Sequence, residues 1–144
     1  MSVVFWDTNL FIFFLEGAIP EATKVRELKE RMRERGDQLV TSTLTLAETQ
    51  VKPLERGNAR LAEEYEALLR SQTRVIPFDH VAAGHFARIR AADLSIKPPD
   101  AIQLACGLAG GTEIFITHDE HLSRKRISGI SFVVPLEKAY NFFT

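Results

Sequence analysis

Two short apolar runs constrain this chain more than anything else in it. Val3-Val4-Phe5-Trp6 stands near the N-terminus and Ile114-Phe115-Ile116-Thr117 near the other end; an acid follows each within two residues, Asp7 and Asp119. A short, continuous apolar run bounded by polar residues suits a strand buried on both faces, which is the usual condition of a parallel sheet. Such sheets need crossover connections, and the intervening sequence supplies helical patterns for them. Leu10, Phe11, Phe13 and Phe14 share one short helix, with Thr8 or Asn9 as its cap and a stop near Gly17 and Pro20. The stretch 21–35 is charged, with Val25, Leu28 and Met32 at helical spacing, and ends at Gly36.

The same reading continues along the chain. A strand is expected over 38–41, then a helix capped by Thr43 that passes through Glu48 and Val51 and closes before Pro53. Further helices are expected over 59–70 and, capped by Asp79, over 81–92, with an extended segment at 75–78 between them. Pro98-Pro99 makes a break, and a helix opens near Asp100, since Pro99 is tolerated in a first turn; Gly110-Gly111 ends it. The last expected strand is 130–134. Alternation of strands and helices predicts an α/β domain on a mainly parallel sheet. In such a sheet the ligand site lies beyond the carboxyl ends of the strands, where Asp7 and Asp119 both stand.

Bulk properties narrow the function. The 144 residues, 45% hydrophobic and 26% charged, fit one globular domain over 1–144. A net charge of -1 argues against a protein that coats nucleic acid by charge alone. The basic groups Arg31, Arg33, Arg35 and Arg124, Lys125, Arg126 read first as solvated faces. The lone Cys106, set in an apolar run, reads as a buried hydrophobe and excludes an internal disulfide. The N-terminal stretch lacks a basic region ahead of its apolar residues, and the run from Leu10 to Leu15 is too short for a bilayer, so a soluble cytoplasmic protein is expected.

Two more acids join the first pair. Glu48 lies in Leu44-Thr45-Leu46-Ala47-Glu48, where an acid interrupts an apolar helical run. Asp100 opens Asp100-Ala101-Ile102-Gln103-Leu104-Ala105; taken alone, it is an acid complementing a helix dipole. Gathering carboxylates is unfavourable, since two like charges about 4 Å apart repel by roughly 4 kcal/mol at an effective dielectric near 20. Four of them call for protonation or a cation. A hard divalent cation such as Mg²⁺ suits carboxylate oxygens and retained water, and phosphodiester hydrolysis is chemistry that such a site performs. Thr8, Asn9, Ser42 and Thr117 lie close in sequence to the acids, where they can orient carboxylates or waters.

Asp7-Thr8-Asn9, Leu44-Thr45-Leu46-Ala47-Glu48, Pro99-Asp100-Ala101-Ile102-Gln103-Leu104-Ala105 and Thr117-His118-Asp119, in this order, resemble the motifs of the PIN-domain nucleases, and among them the toxins of the VapC type. The resemblance spans nearly the whole chain. It implies a three-layer α/β/α fold and a Mg²⁺- or Mn²⁺-dependent endoribonuclease, with Asp7, Glu48, Asp100 and Asp119 as acidic ligands and Thr117 as the hydroxyl residue near the last acid. It further implies an RNA substrate, a homodimer and an antitoxin that covers the site. One departure stands out: His118 precedes the last acid where this family often has Asn.

Three other readings compete. His118-Asp119-Glu120-His121 offers two histidines for zinc, but at a spacing of three rather than the four of a two-histidine helical motif. An Asp-based phosphoryl-transfer domain also places an acid after its first strand, but wants a lysine, for which Lys97 is the nearest candidate to a motif acid. A non-catalytic module of the same fold would bind RNA or a protein without cleaving; the presence of all four acids counts against it. Finally, Phe11, Phe13 and Phe14 crowd one short helix, which suggests an apolar surface for a partner.

Overall fold

The N-terminal apolar run forms the middle of the sheet. The computed structural model describes residues 1–143; Thr144, the last residue of the expected domain, lies outside them. The strands are β1 (Val3–Trp6), β2 (Gln38–Ser42), β3 (Arg74–Ile76), β4 (Ile114–Thr117) and β5 (Phe132–Pro135). All pair in parallel, in the order β3-β2-β1-β4-β5. The helices are α1 (Thr8–Glu16), α2 (Pro20–Arg35), α3 (Thr43–Glu55), α4 (Ala59–Gln72), α5 (His80–Ala92), α6 (Pro98–Ala109), α7 (Glu120–Ser123) and α8 (Leu136–Phe142).

Side chains alternate across each strand, so the sheet builds two cores. Val4, Trp6, Leu39, Ile114, Ile116 and Val134 face one layer, where Leu10 and Phe11 of α1, Val25, Leu28 and Met32 of α2, and Leu136 and Ala139 of α8 pack. Phe5, Val40 and Phe115 face the other, against Ala82 and Ile89 of α5 and Ala101, Leu104, Ala105 and Cys106 of α6. The rings of Phe5 and Phe115 stack there, with centroids 4.8 Å apart. This is the expected three-layer arrangement. Among the described residues no helix is long and apolar enough to cross a membrane.

Several boundaries differ from expectation for definite reasons. Asp7, not Thr8 or Asn9, is the N-cap of α1, accepting from the Thr8 N–H at 2.9 Å. Ser42 rather than Thr43 caps α3, and that helix continues two residues past Pro53. A proline near a helix end forgoes one backbone bond but does not prevent a last partial turn. The helix expected near Asp100 begins at Pro98, so both prolines lie in its first turn. The segment 75–78 shrinks to a strand that stops at Ile76, because Pro77 has no N–H to extend the ladder.

The last strand starts at Phe132 rather than Ile130. Gly129 turns the chain with φ +94° and delivers Ile130 into the second core instead. Beyond the strand, α8 is an element that no periodic pattern in the sequence announces.

Candidate active site

The chain moves from β1 outward to β2 and β3, then returns to the other side of β1 for β4 and β5. The strand order therefore reverses between β1 and β4, which opens a crevice at their carboxyl ends. Pairing of Trp6 with Ile116, and a bond from the Asp7 N–H to the Ile116 carbonyl (2.9 Å), set Asp7 beside Thr117 at the lip of that crevice.

Asp7 is only 6% exposed. Its Oδ1 accepts from the Thr8 N–H and from Gln103 Nε2 (3.3 Å), and its Oδ2 accepts from the Thr117 hydroxyl (2.8 Å). Burial pushes its pKa up and outweighs these three bonds, which pull it down; the nearby Glu48 carboxylate adds to the rise. The fold thus holds in place an acid whose charge it disfavours.

The other three acids come from separate elements. Asp119 caps α7, accepting from the Leu122 N–H at 3.0 Å, while its own N–H donates to the Thr117 hydroxyl (3.1 Å). Asp100 sits in the first turn of α6, and Glu48 projects from α3. Glu48 is exposed, yet its Oε1 accepts a 2.7 Å bond from the Thr8 hydroxyl. Asp7, Glu48, Asp100 and Asp119 all line one groove of about 550 Å³, together with Thr8, Asn9, Phe13 and Gln103. Burial first, then repulsion from Asp7 and Asp119, raises the pKa of Asp100 to about 6; Lys97 opposes the rise and Glu48 adds to it. Among the described residues no three acidic, histidine or cysteine side chains come close enough to cage a metal ion unaided.

Of the expected supporting residues, Thr8 and Thr117 bond directly to the acids, and Asn9 lines the groove. Ser42 reaches them only indirectly: its hydroxyl donates to the side-chain carbonyl of Gln103. Three participants were not anticipated. Gln103 is 1% exposed, and its Nε2 also approaches the Thr8 and Thr45 hydroxyls at 2.9 Å each. Thr45 accepts from the Thr41 hydroxyl at 2.8 Å. The one sequence signal for Gln103 was an amide inside an apolar helical run, one turn after Asp100.

The remaining candidates fall outside this network. His118 is exposed and meets the Phe13 ring edge-on at 5.1 Å. Among the described residues the bonding partners of the Asp7 carboxylate are Thr8, Gln103 and Thr117, with no lysine among them. Cys106 is buried in the second core, and burial pushes its thiol up to about 12. Arg31 stacks on Tyr140 and Lys125 pairs with Asp93 at 2.8 Å. Phe11 is core, and Phe13 and Phe14 are half-buried against it; the exposed apolar side chains beside the site are Val51 and, further along α3, Leu54.

A parallel α/β domain with acids gathered where its strand order reverses is the class that fold and groove define. The PIN domain family model matches residues 4–127, and the chain belongs to that family. Comparison with curated proteins gives no match. Among solved structures, the chain is similar to one in the crystal structure of VapBC2 from Rickettsia felis bound to a DNA fragment from their promoter. The TM-score is 0.71 at 13% identity, covering 92% of this chain and 96% of that one. It is also similar to a chain of DNA-bound VapBC from Salmonella typhimurium (TM-score 0.69, 22% identity, 94% and 99% covered). A toxin-antitoxin complex from Klebsiella pneumoniae contains a third (TM-score 0.60, 20% identity, 90% and 95% covered). At these identities the likeness is one of fold.

Proposed function

We propose that this chain is a cytoplasmic endoribonuclease, dependent on Mg²⁺ or Mn²⁺, and the toxin of a toxin–antitoxin pair. The observation that carries the reading is the shared groove: four carboxylates from four separate elements line it, and one of them, Asp100, is driven toward protonation first by burial and then by the charges of the other three. Membership of the PIN domain family and likeness to VapBC chains support it.

The residues fit a hard divalent cation better than a metal that needs a closed protein cage. Mg²⁺ characteristically takes one or two carboxylates and completes its shell with water and substrate phosphate. Acids spread around an open groove, without a preformed cluster of three, match that habit. Asp7, Glu48, Asp100 and Asp119 would hold it. Bound there, the ion would supply an activated water and stabilise charge on the phosphate. The chain's own contribution is to orient: Thr117 and the Thr8 N–H hold the two oxygens of Asp7, and the Thr8 hydroxyl holds Glu48.

A second groove, of about 670 Å³, adjoins the first and shares Ile12, Glu48 and Val51 with it. A segment of an antitoxin lying there would abut the acids and cover them. The proposal extends to a homodimer, motivated by exposed Val51 and Leu54. Sedimentation should give twice the chain mass at high micromolar concentration, and a strictly monomeric chain would remove that part.

The deciding assay uses a mixed pool of single-stranded RNA with Mg²⁺, with Mn²⁺ and with EDTA. Cleavage is expected with either metal and not with EDTA. Cleavage that persists in EDTA demands another mechanism; binding without cleavage under all three conditions demands the non-catalytic reading.

A further inference from the structure

We infer that Gln103 is a positioning residue that orients two of the acids at once, Asp7 directly and Glu48 through Thr8. Gln103 follows Asp100 by three residues on α6, so the two share a helix face and both line the groove, Gln103 as a buried part of its floor. An amide has one carbonyl oxygen and two N–H donors, and only one orientation satisfies this site. Ser42 donates to Oε1, which leaves the two protons of Nε2 to be shared among three acceptors, Thr8 Oγ1 and Thr45 Oγ1 at 2.9 Å each and Asp7 Oδ1 at 3.3 Å.

Thr8 has few protons to distribute. Its hydroxyl carries a single hydrogen. Once Gln103 donates into its oxygen, that hydrogen is free to point outward to Glu48 Oε1, 2.7 Å away. Thr45, 3.2 Å from Thr8, can donate into the same Thr8 oxygen because it accepts in turn from Gln103. A buried ladder of hydroxyls, polarised by one amide, therefore ends on a carboxylate that is otherwise in solvent. The Glu48 side chain is flexible; among the described residues its bond from Thr8 is the contact that holds it on the side of Asp7.

The inference deepens the nuclease reading and rests on it for its metal and activity arms, but its hydrogen-bond arm does not need a metal. The variants are Gln103→Met, which keeps volume and removes the amide, Gln103→Glu, which keeps shape and reverses donor to acceptor, and Thr8→Val. In metal-free protein, the side-chain carboxylate ¹³C signal of Glu48 should shift in Gln103→Met as it does in Thr8→Val, with no further shift when the two are combined. Mn²⁺ affinity measured by calorimetry should fall roughly tenfold in Gln103→Met, the scale for groups that support metal ligands from behind. kcat on RNA should fall with KM little changed, and Gln103→Glu should not rescue either. A folded Gln103→Met whose Glu48 signal stays at the wild-type position overturns the inference, whatever the metal result. If wild type neither binds Mn²⁺ nor cleaves RNA, the nuclease reading falls and the Glu48 signal still decides the role of Gln103.

Discussion

Asp7→Asn is expected to lower RNA cleavage by at least about 10³-fold while leaving the protein folded. A metal ion's charge stabilisation in the transition state is worth several kcal/mol, and each 1.4 kcal/mol or so is a factor of ten in rate. Asp7 is the acid most deeply placed in the groove and is held through both of its oxygens. Asparagine keeps one acceptor oxygen, enough for the Thr8 N–H and Gln103. Its amide nitrogen would face Thr117, whose hydroxyl can rotate from donating to accepting. Burial already disfavours the charge on Asp7, so its removal should leave the melting temperature unchanged or higher. Single-turnover cleavage and thermal unfolding on the same preparation make the check. A folded variant that cleaves within tenfold of wild type would show that Asp7 is structural only.

The parts of this fold that were legible in the sequence are those where burial leaves a pattern. Strands covered on both faces must be continuously apolar, so Val3–Trp6 and Ile114–Thr117 stood out, and the acids after them fell where the strand order reverses. What was hidden depended on contacts that no local pattern records. Asp7 serves as both cap and groove acid, and a cap is chosen by geometry rather than by rank among Thr, Asn and Asp. α8 is only seven residues long and buries only Leu136 and Ala139, too few points to define a period. Ile130 is apolar for the core and not for a strand, a distinction made by the turn at Gly129.

The site divides in the same way. Asp7 and Asp119 follow from topology, whereas Glu48 is an exposed helical acid whose place depends on α3 packing against α1 and on one bond from Thr8. Gln103 looked like part of an apolar helix face because its partners, Ser42, Thr45 and Thr8, come from two other regions of the chain. A buried amide needs such partners, and sequence does not say where they are.

Asp100→Asn is expected to make the metal-free protein more stable near neutral pH and less responsive to metal. The carboxyl of Asp100 titrates at about 6 in the native state against 3.8 as its ordinary value, raised first by burial and then by Asp7 and Asp119. Between those two values the native state binds more protons than the unfolded chain, so stability falls as pH rises through that window and stays lower above it. The full shift would correspond to about 3 kcal/mol; solvent screening of a half-buried group reduces this to roughly 1–2 kcal/mol. Asparagine does not titrate, so the variant's advantage should be absent below about pH 4, open between roughly pH 4 and 6, and level off by pH 7 at a few °C in Tm. Mn²⁺ should reverse the order. An ion at a hundred times its Kd stabilises the state that binds it by about 2.7 kcal/mol, more than the repulsion it relieves, and wild type has one more carboxylate with which to hold it. Melting curves from pH 4 to 7, with EDTA and with Mn²⁺, carry the test. Equal Tm values for both proteins across that range in EDTA would mean that Asp100 shares no charge repulsion with the other acids, and the same Mn²⁺ shift in both would mean that it shares no cation with them.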